Sequence, residues 1–401
     1  MFRNASLNSA ERSLKLIATM SAAVILWLLG VSAASAQSSF YQAAPQELEG
    51  PPGSIIRREL MPFAPGYIAA YRVLYRSRGM SGEPIAVSGV VIAPRGAPPP
   101  GGRPIVAWAH PTTGLVRRCA PSLAIFLFQQ IQGLRDMAAQ GFIVAATDYP
   151  GLGGPGVHPY LVGESEARAV LDIVRAARSM PELNATRDYA VWGHSQGGQA
   201  ALFSGLIARS YAPELNLVGV AAAAPATELA TLMGDDLGTP GGKNLTAMTL
   251  WSWQQVYRAP MARVVEPQAI PVVNRLATAC LESVYDVLER RGLGRALEAG
   301  FLTVKNPADI EPWRSLAARN TPGVLPREIP LFIAQGEADI VVRPQVTRAY
   351  VARSCRDGVR VSFYSMPGVG HGLAARDGAK AAVQWMSERF AGAAVPDNCG
   401  R

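Results

Sequence analysis

Short apolar runs alternate along this chain with longer stretches whose apolar residues recur three and four positions apart. "PIVAWAH" is followed by a helical pattern over 122–140, "FIVAATDYPG" by "GESEARAVLDIVRAARSM", and "DYAVWGHS" by "QGGQAALFSGLIARSYA"; "LNLVGVAAAAPA" closes the series. An unbroken apolar run predicts a strand buried on both faces, and the three-four spacing predicts an amphipathic helix. Repetition of the pair predicts a mostly parallel sheet covered by helices on both sides. Ahead of it, "AYRVLYRS" and "PIAVSGVVIAP" predict two further strands, while residues 37–66 read as an irregular lead-in and "RGAPPPGGRP" as a surface loop. The rhythm stops near residue 227. Up to about 325 there are helical patches punctuated by Pro and Gly, with Trp251 and Trp253 close together. It resumes with "IPLFIAQGEAD", a helix over 344–356, "VRVSFYSMPGVGHG" and a helix over 375–392. The pattern predicts one α/β domain in two parts, 37–226 and 326–401, carrying a helical insertion at 227–325.

The first 36 residues stand apart. Arg3, Arg12 and Lys15 precede the apolar run Ala22–Leu29, and Ala34-Ser35-Ala36 supplies a small-residue cleavage pattern. This predicts an export signal cut after Ala36, against the competing reading of an uncleaved anchor. The run is short for a bilayer span, and no later stretch is long and apolar enough to make one. The formal net charge is +8, and loss of three basic residues and Glu11 brings it to +6. The charge is spread along the chain, with no basic block interleaved with aromatics, which argues against nucleic acid as a partner. Four cysteines (Cys119, Cys280, Cys355, Cys399) in an exported chain, none in a C-x-x-C pair, predict two disulfides rather than a metal site, with all three pairings open. The four histidines do not cluster, so no metal is expected, and no motif asks for an organic cofactor.

The candidate chemistry begins at Gly193-His194-Ser195-Gln196-Gly197. With 39 glycines in the chain, a G-x-S-x-G match needs context. Here an apolar strand precedes Ser195 and a helical pattern follows it. That is the nucleophile-elbow setting, in which glycines leave room for a sharp turn and the serine lands at a helix N-terminus. A serine hydroxyl is a weak nucleophile and needs a base held by an acid. His371, in the loop after the last strand, is the candidate base. Asp339, at the end of the preceding strand, is the candidate acid, with Glu337 and Glu228 as weaker ones. The order Ser, Asp, His is that of the α/β-hydrolases. The oxyanion donors are expected to be the N–H of Gln196 and an N–H from "AWAHPTTGL", where Pro111 has none and Thr112 or Thr113 must supply it. Among the other histidines, His110 is expected to organise that loop, His158 to be a loop or packing residue, and His194 to point elsewhere. "DYPGLGGPG" lacks the Lys-Ser/Thr ending of a phosphate loop and reads as a loop at the mouth of the site.

"AWAHPTTGLVRRCAPS", "VAATDYPGLG", "HPYLVGESEARAVLDIVRAAR", "VWGHSQGGQAALFSG", "SYAPELNLVGVAAAAPATELA" and "GEADIVVRP" together resemble the secretory lipases, the group that includes fungal lipase A. The resemblance implies an α/β-hydrolase fold with a helical cap inserted before the acid-bearing strand. It puts Ser195, Asp339 and His371 in the triad positions and the second oxyanion donor at Thr113, where fungal members carry an acidic residue. It also implies the pairs Cys119–Cys280 and Cys355–Cys399. The expected protein is a secreted or periplasmic serine ester hydrolase of lipase type, acting without cofactor on acylglycerol or related lipid esters, at a lipid–water interface or on small soluble esters. A short-chain esterase, an acyltransferase or a peptidase on the same site is the alternative chemistry. A catalytically silent binding protein is the alternative class. Met248, Leu250, Trp251 and Trp253 read equally as a lipid-facing surface or as the insertion's own core.

Overall fold

The computed structural model describes residues 39–281 and 284–400. The expected signal segment, 1–36, lies outside the described residues. The chain divides into two units, Met1–Ala43 and Ala44–Arg401. In the first, the Phe40 and Tyr41 rings meet edge-on with centroids 5.4 Å apart. The architecture that follows is the second unit's.

Its strands are β1 (Ile55–Leu60), β2 (Ile68–Arg78), β3 (Pro84–Pro94), β4 (Arg103–Ala109), β5 (Ile143–Thr147), β6 (Ala185–His194), β7 (Asn216–Ala223), β8 (Leu331–Gly336) and β9 (Val361–Met366). They form one sheet in the order β1-β2-β3-β5-β4-β6-β7-β8-β9. The six strands from β5 to β9 run parallel, and β1 to β3 add an antiparallel edge. The unbroken apolar runs are the parallel strands, as a sheet covered on both faces requires. Along β4, Ile105 and Ala107 face one layer, with Val170 and Ile173 of the helix Gly163–Arg178. Val106 and Trp108 face the other, with Trp192 of β6 and Met386 of the helix Ala374–Phe390. Alternate residues thus enter opposite cores, each buried large side chain contributing about 1.5–3 kcal/mol.

Two sequence expectations fail locally. The lead-in contains β1, whose "IIRREL" is half polar because an edge strand buries little. The single helix expected over 122–140 is a broken path. A 3-10 turn Pro121–Leu123 and a short helix Leu127–Gln130 precede a second helix, Leu134–Ala139. Gly133 lies between them at φ 82°, where a Cβ would come within 3.0 Å of Val383. The left-handed residue turns the chain onto the helix Ala374–Phe390 and ends any continuous helix.

Between β7 and β8 the described elements are chiefly helices, among them Leu229–Asp235, Pro240–Tyr257, Ile270–Thr278 and Trp313–Asn320. Met248, Leu250 and Trp253 are buried. Trp253 stacks on Trp313 at 6.3 Å and donates its indole N–H to the Tyr160 carbonyl at 2.9 Å. Of the four residues read as either a lipid face or a core, these three are core, and Trp251 packs against it half-buried. Cys119 is bonded to Cys280, and Cys355 to Cys399. These are the pairs the family resemblance implies. The first ties the segment between β7 and β8 to the loop after β4, and Arg118 reinforces it with an ion pair to Asp286 at 2.7 Å. Among the described residues no helix is long and apolar enough to cross a membrane.

Candidate active site

Ser195 stands between β6 and the helix Gln196–Tyr211, at φ 57° and ψ −118°. A non-glycine residue there is strained, and its neighbours explain how the turn is tolerated. A Cβ on Gly197 would sit 1.9 Å from the Ala109 carbonyl oxygen, and one on Gly193 would sit 2.1 Å from the Gly197 carbonyl oxygen. Only hydrogen fits at either position. The Ser195 N–H donates to the Ala223 carbonyl at 2.9 Å, pinning the turn to β7.

The turn presents Oγ to His371. The distance from Ser195 Oγ to His371 Nε2 is 2.9 Å, and from His371 Nδ1 to Asp339 Oδ2 it is 2.8 Å. Asp339 is buried and firmly held. Its Oδ1 accepts the N–H groups of Val341 and Val342 at 2.8 and 2.9 Å, and Gln335 donates to Oδ2 at 3.4 Å. Asp339 thus caps the turn with one oxygen and meets His371 with the other. Glu337 bonds instead to Arg348 and Ser365, and Glu228 to Arg353, so neither weaker candidate reaches His371.

Gln196 is the first residue of its helix, so its N–H is one of the four that have no acceptor within the helix. Thr113 is buried, its carbonyl accepts the Leu281 N–H at 2.8 Å, and its hydroxyl has no partner among the described residues. Thr112 is engaged elsewhere, its hydroxyl 3.0 Å from that of Tyr160. A cavity opens at Ser195, walled by Leu229, Leu232, Met233, Leu245, Val341 and Val342. Among the described residues no group of three or more His, Cys, Asp or Glu side chains is placed to hold a metal ion.

The other histidines take up positions the sequence only partly signals. His110 lies against its own loop, with ring nitrogens 2.6 Å from the Pro111 carbonyl and 3.2 Å from that of Asp148, and burial lowers its pKa to about 4. His194 does not point away: its Nε2 lies 3.0 Å from the His371 carbonyl oxygen, so it braces the loop that carries His371. Burial takes its pKa down to about 3. His158 is no mere packing residue. It lies 2.8 Å from the Gln196 side chain, which also donates to Glu166 at 2.8 Å. Neither His158 nor Glu166 carries a motif. A glutamate two residues from Glu164 in a helix start looks like any solvated first-turn acid, and only burial distinguishes it.

A family model described as secretory lipase matches residues 129–398. The chain is 26% identical over 394 residues to Lipase A of Arthroderma benhamiae, covering 90% of this chain and 81% of that one. It is 24% identical over 367 residues to a Mycobacterium tuberculosis protein named as a probable inactive lipase, covering 86% and 80%. In fold it is similar to Candida antarctica lipase A, with a TM-score of 0.74 at 18% identity, over 90% of this chain and 87% of that one. A nine-stranded, mostly parallel sheet, a serine on its strand-to-helix turn and a family match over two thirds of the length lead to one conclusion: this chain belongs to the secretory lipase family, within the α/β-hydrolase fold.

Proposed function

We propose that this protein is an exported serine hydrolase that cleaves lipid esters through Ser195, His371 and Asp339. The observation that carries the reading is the unbroken path from Ser195 Oγ through the imidazole to Asp339, at 2.9 and 2.8 Å, beside an apolar cavity. His371 Nε2 takes the Ser195 proton as Oγ attacks the ester carbonyl. Asp339 accepts Nδ1–H, fixes the tautomer and stabilises the imidazolium. The carbonyl oxygen, now negative, is met by the N–H groups of Gln196 and Thr113, aided by the positive end of the Gln196 helix. His371 then protonates the leaving alcohol and the acyl-enzyme forms. Water, activated by the same imidazole, releases the acid.

Residues 227–325 act as a cap on a core made of 37–226 and 326–401. Leu229, Leu232, Met233 and Leu245 of the cap line the cavity together with Val341 and Val342, a lining suited to an acyl chain. Residues 1–36 direct export, with the cut after Ala36, to the periplasm or beyond.

The test is turnover of p-nitrophenyl esters from acetyl to palmitoyl and of emulsified triacylglycerol, with Ser195→Ala as control. Rates that hold or rise with chain length and extend to the emulsion are expected. Turnover confined to acetyl and butyryl esters would make it an esterase. No turnover in wild type or control would leave a binding protein, a reading that the relative named inactive makes concrete.

A further inference from the structure

Behind Gln196 lies a buried polar cluster with no part in the steps above. The Gln196 side-chain nitrogen has two hydrogens and two acceptors, His158 Nε2 and Glu166 Oε1, each at 2.8 Å. His158 Nδ1 lies 3.0 Å from the Pro150 carbonyl and donates to it, which leaves Nε2 as an acceptor. The Leu161 N–H donates to the same Glu166 oxygen at 3.0 Å. His158 and Glu166 are wholly buried and Gln196 is 1% exposed. The Gln196 side chain is thus clamped between two elements, the loop carrying His158 and the helix Gly163–Arg178. Its backbone N–H is the one that follows the nucleophile.

We propose that Glu166, with His158, is a positioning residue for the oxyanion hole: it fixes the Gln196 side chain and so the direction of the Gln196 N–H. The inference rests on the ester-cleaving reading above and deepens it.

The hydrogen-bond count also assigns the cluster's proton. Gln196 Oε1 and Glu166 Oε2 are both buried without a partner among the described residues. Two such oxygens beside a full negative charge would be costly, whereas a proton on Glu166 removes the charge and turns one oxygen into a donor. No lysine or arginine among the described residues pairs with Glu166. His158 Nε2, at 3.7 Å, is its one basic neighbour within 4.0 Å, and burial lowers that histidine's pKa to about 3. The other titratable groups facing the cluster are Tyr149, Tyr160, Tyr257 and His110; burial pushes Tyr149 and Tyr257 up and lowers His110 to about 4. Burial likewise raises the Glu166 pKa well above the usual carboxyl range. Glu166 is therefore the member of the cluster held in its neutral form.

The experiment compares wild type, Ser195→Ala, Glu166→Ala and Glu166→Gln from pH 6 to 9.5, with circular dichroism and thermal unfolding on each. Two readouts are taken. One is kcat and KM on p-nitrophenyl butyrate. The other is the rate at which an alkyl p-nitrophenyl phosphonate, whose phosphoryl oxygen enters the same hole, modifies Ser195, followed by intact mass. Glu166→Ala is expected to lower kcat and the phosphonylation rate on the order of 10- to 100-fold with KM nearly unchanged. Glu166→Gln keeps one donor and one acceptor and is expected to restore both rates to within about threefold. A folded Glu166→Ala with wild-type rates overturns the proposal. So does a folded Glu166→Gln whose kcat and phosphonylation rate fall more than tenfold, a result readable even if the alanine variant does not fold. If wild type neither turns over ester nor takes up phosphonate, the ester-cleaving reading fails first and takes the positioning role with it. Ester turnover that survives Glu166→Ala removes the positioning role alone.

Discussion

Asp339 illustrates how much one side chain carries here. It caps a turn with one oxygen and holds His371 with the other, so the two roles can be separated by charge. Asp339→Asn keeps the size and is expected to leave the fold in place while lowering kcat about 10⁴-fold, because the amide can present its N–H to Nδ1 and select the wrong tautomer. Steady-state kinetics beside an unfolding curve check both halves. Gly197 is the opposite case, a position where geometry forbids any side chain. Gly197→Ala drives a Cβ into the end of β4 and is expected to cost about 3 kcal/mol or more, with loss of ester turnover. A urea titration measures the first and an ester assay the second. At this scale Ser195, Asp339 and His371 were legible because the chemistry dictates residue type, order and strand ends together. Glu166 and His158 were not. Their positions follow from which face of one helix and which loop turn inward, and nothing in "GESEAR" or "GVHPY" marks that.

Among the elements, the strands buried on both faces were legible, and of the two edge strands only β9 was. β4, β5 and β8 are almost wholly apolar, and β6 and β7 become so toward their C-terminal ends, which is where the sequence marks them as strands. β1 is an edge strand and shares its half-polar pattern with a loop. The stretch 122–140 has helical spacing, yet its residues reach the core as two short helices on either side of Gly133. Periodicity records which residues are buried, not whether the backbone between them is continuous. The segment between β7 and β8 taught a related lesson. Trp253 and Leu250 are as apolar as a lipid-binding face would be, and they are spent on the segment's own interior.

For the molecule as a whole, burial of histidine sets the response to acid. His110, His158 and His194 have pKa values lowered to about 4, 3 and 3, so in the folded protein they stay neutral down to about pH 5. Their imidazole resonances are expected not to titrate between pH 8 and 5, as NMR of histidine-labelled protein would report. The unfolded chain binds those protons near pH 6.5, so these three groups draw stability down as pH falls below that value. Asp148, Glu166 and Asp172, with pKa values raised by burial, act in the opposite sense, since the folded chain keeps protons that the unfolded one has released. The second global constraint is covalent. The Cys355–Cys399 bridge holds the C-terminal tail, whose Asn398 pairs with Phe363 on the outer edge of β9. Replacing both cysteines with serine is expected to lower stability by about 2–5 kcal/mol and to leave kcat unchanged, by urea unfolding and ester assay.

The other bridge lies much closer to the chemistry. Cys280 is followed by Leu281, whose N–H holds the Thr113 carbonyl, and Cys119 packs on Gly114. The peptide that would greet a negatively charged oxygen is thus moored to a piece of chain more than 160 residues further on. Whatever slackens that mooring, whether a thiol in the medium or a protease nick beside Leu281, blurs the anion's landing place before it disturbs the cavity. Damage there is expected to appear as slower chemistry on a substrate that still binds.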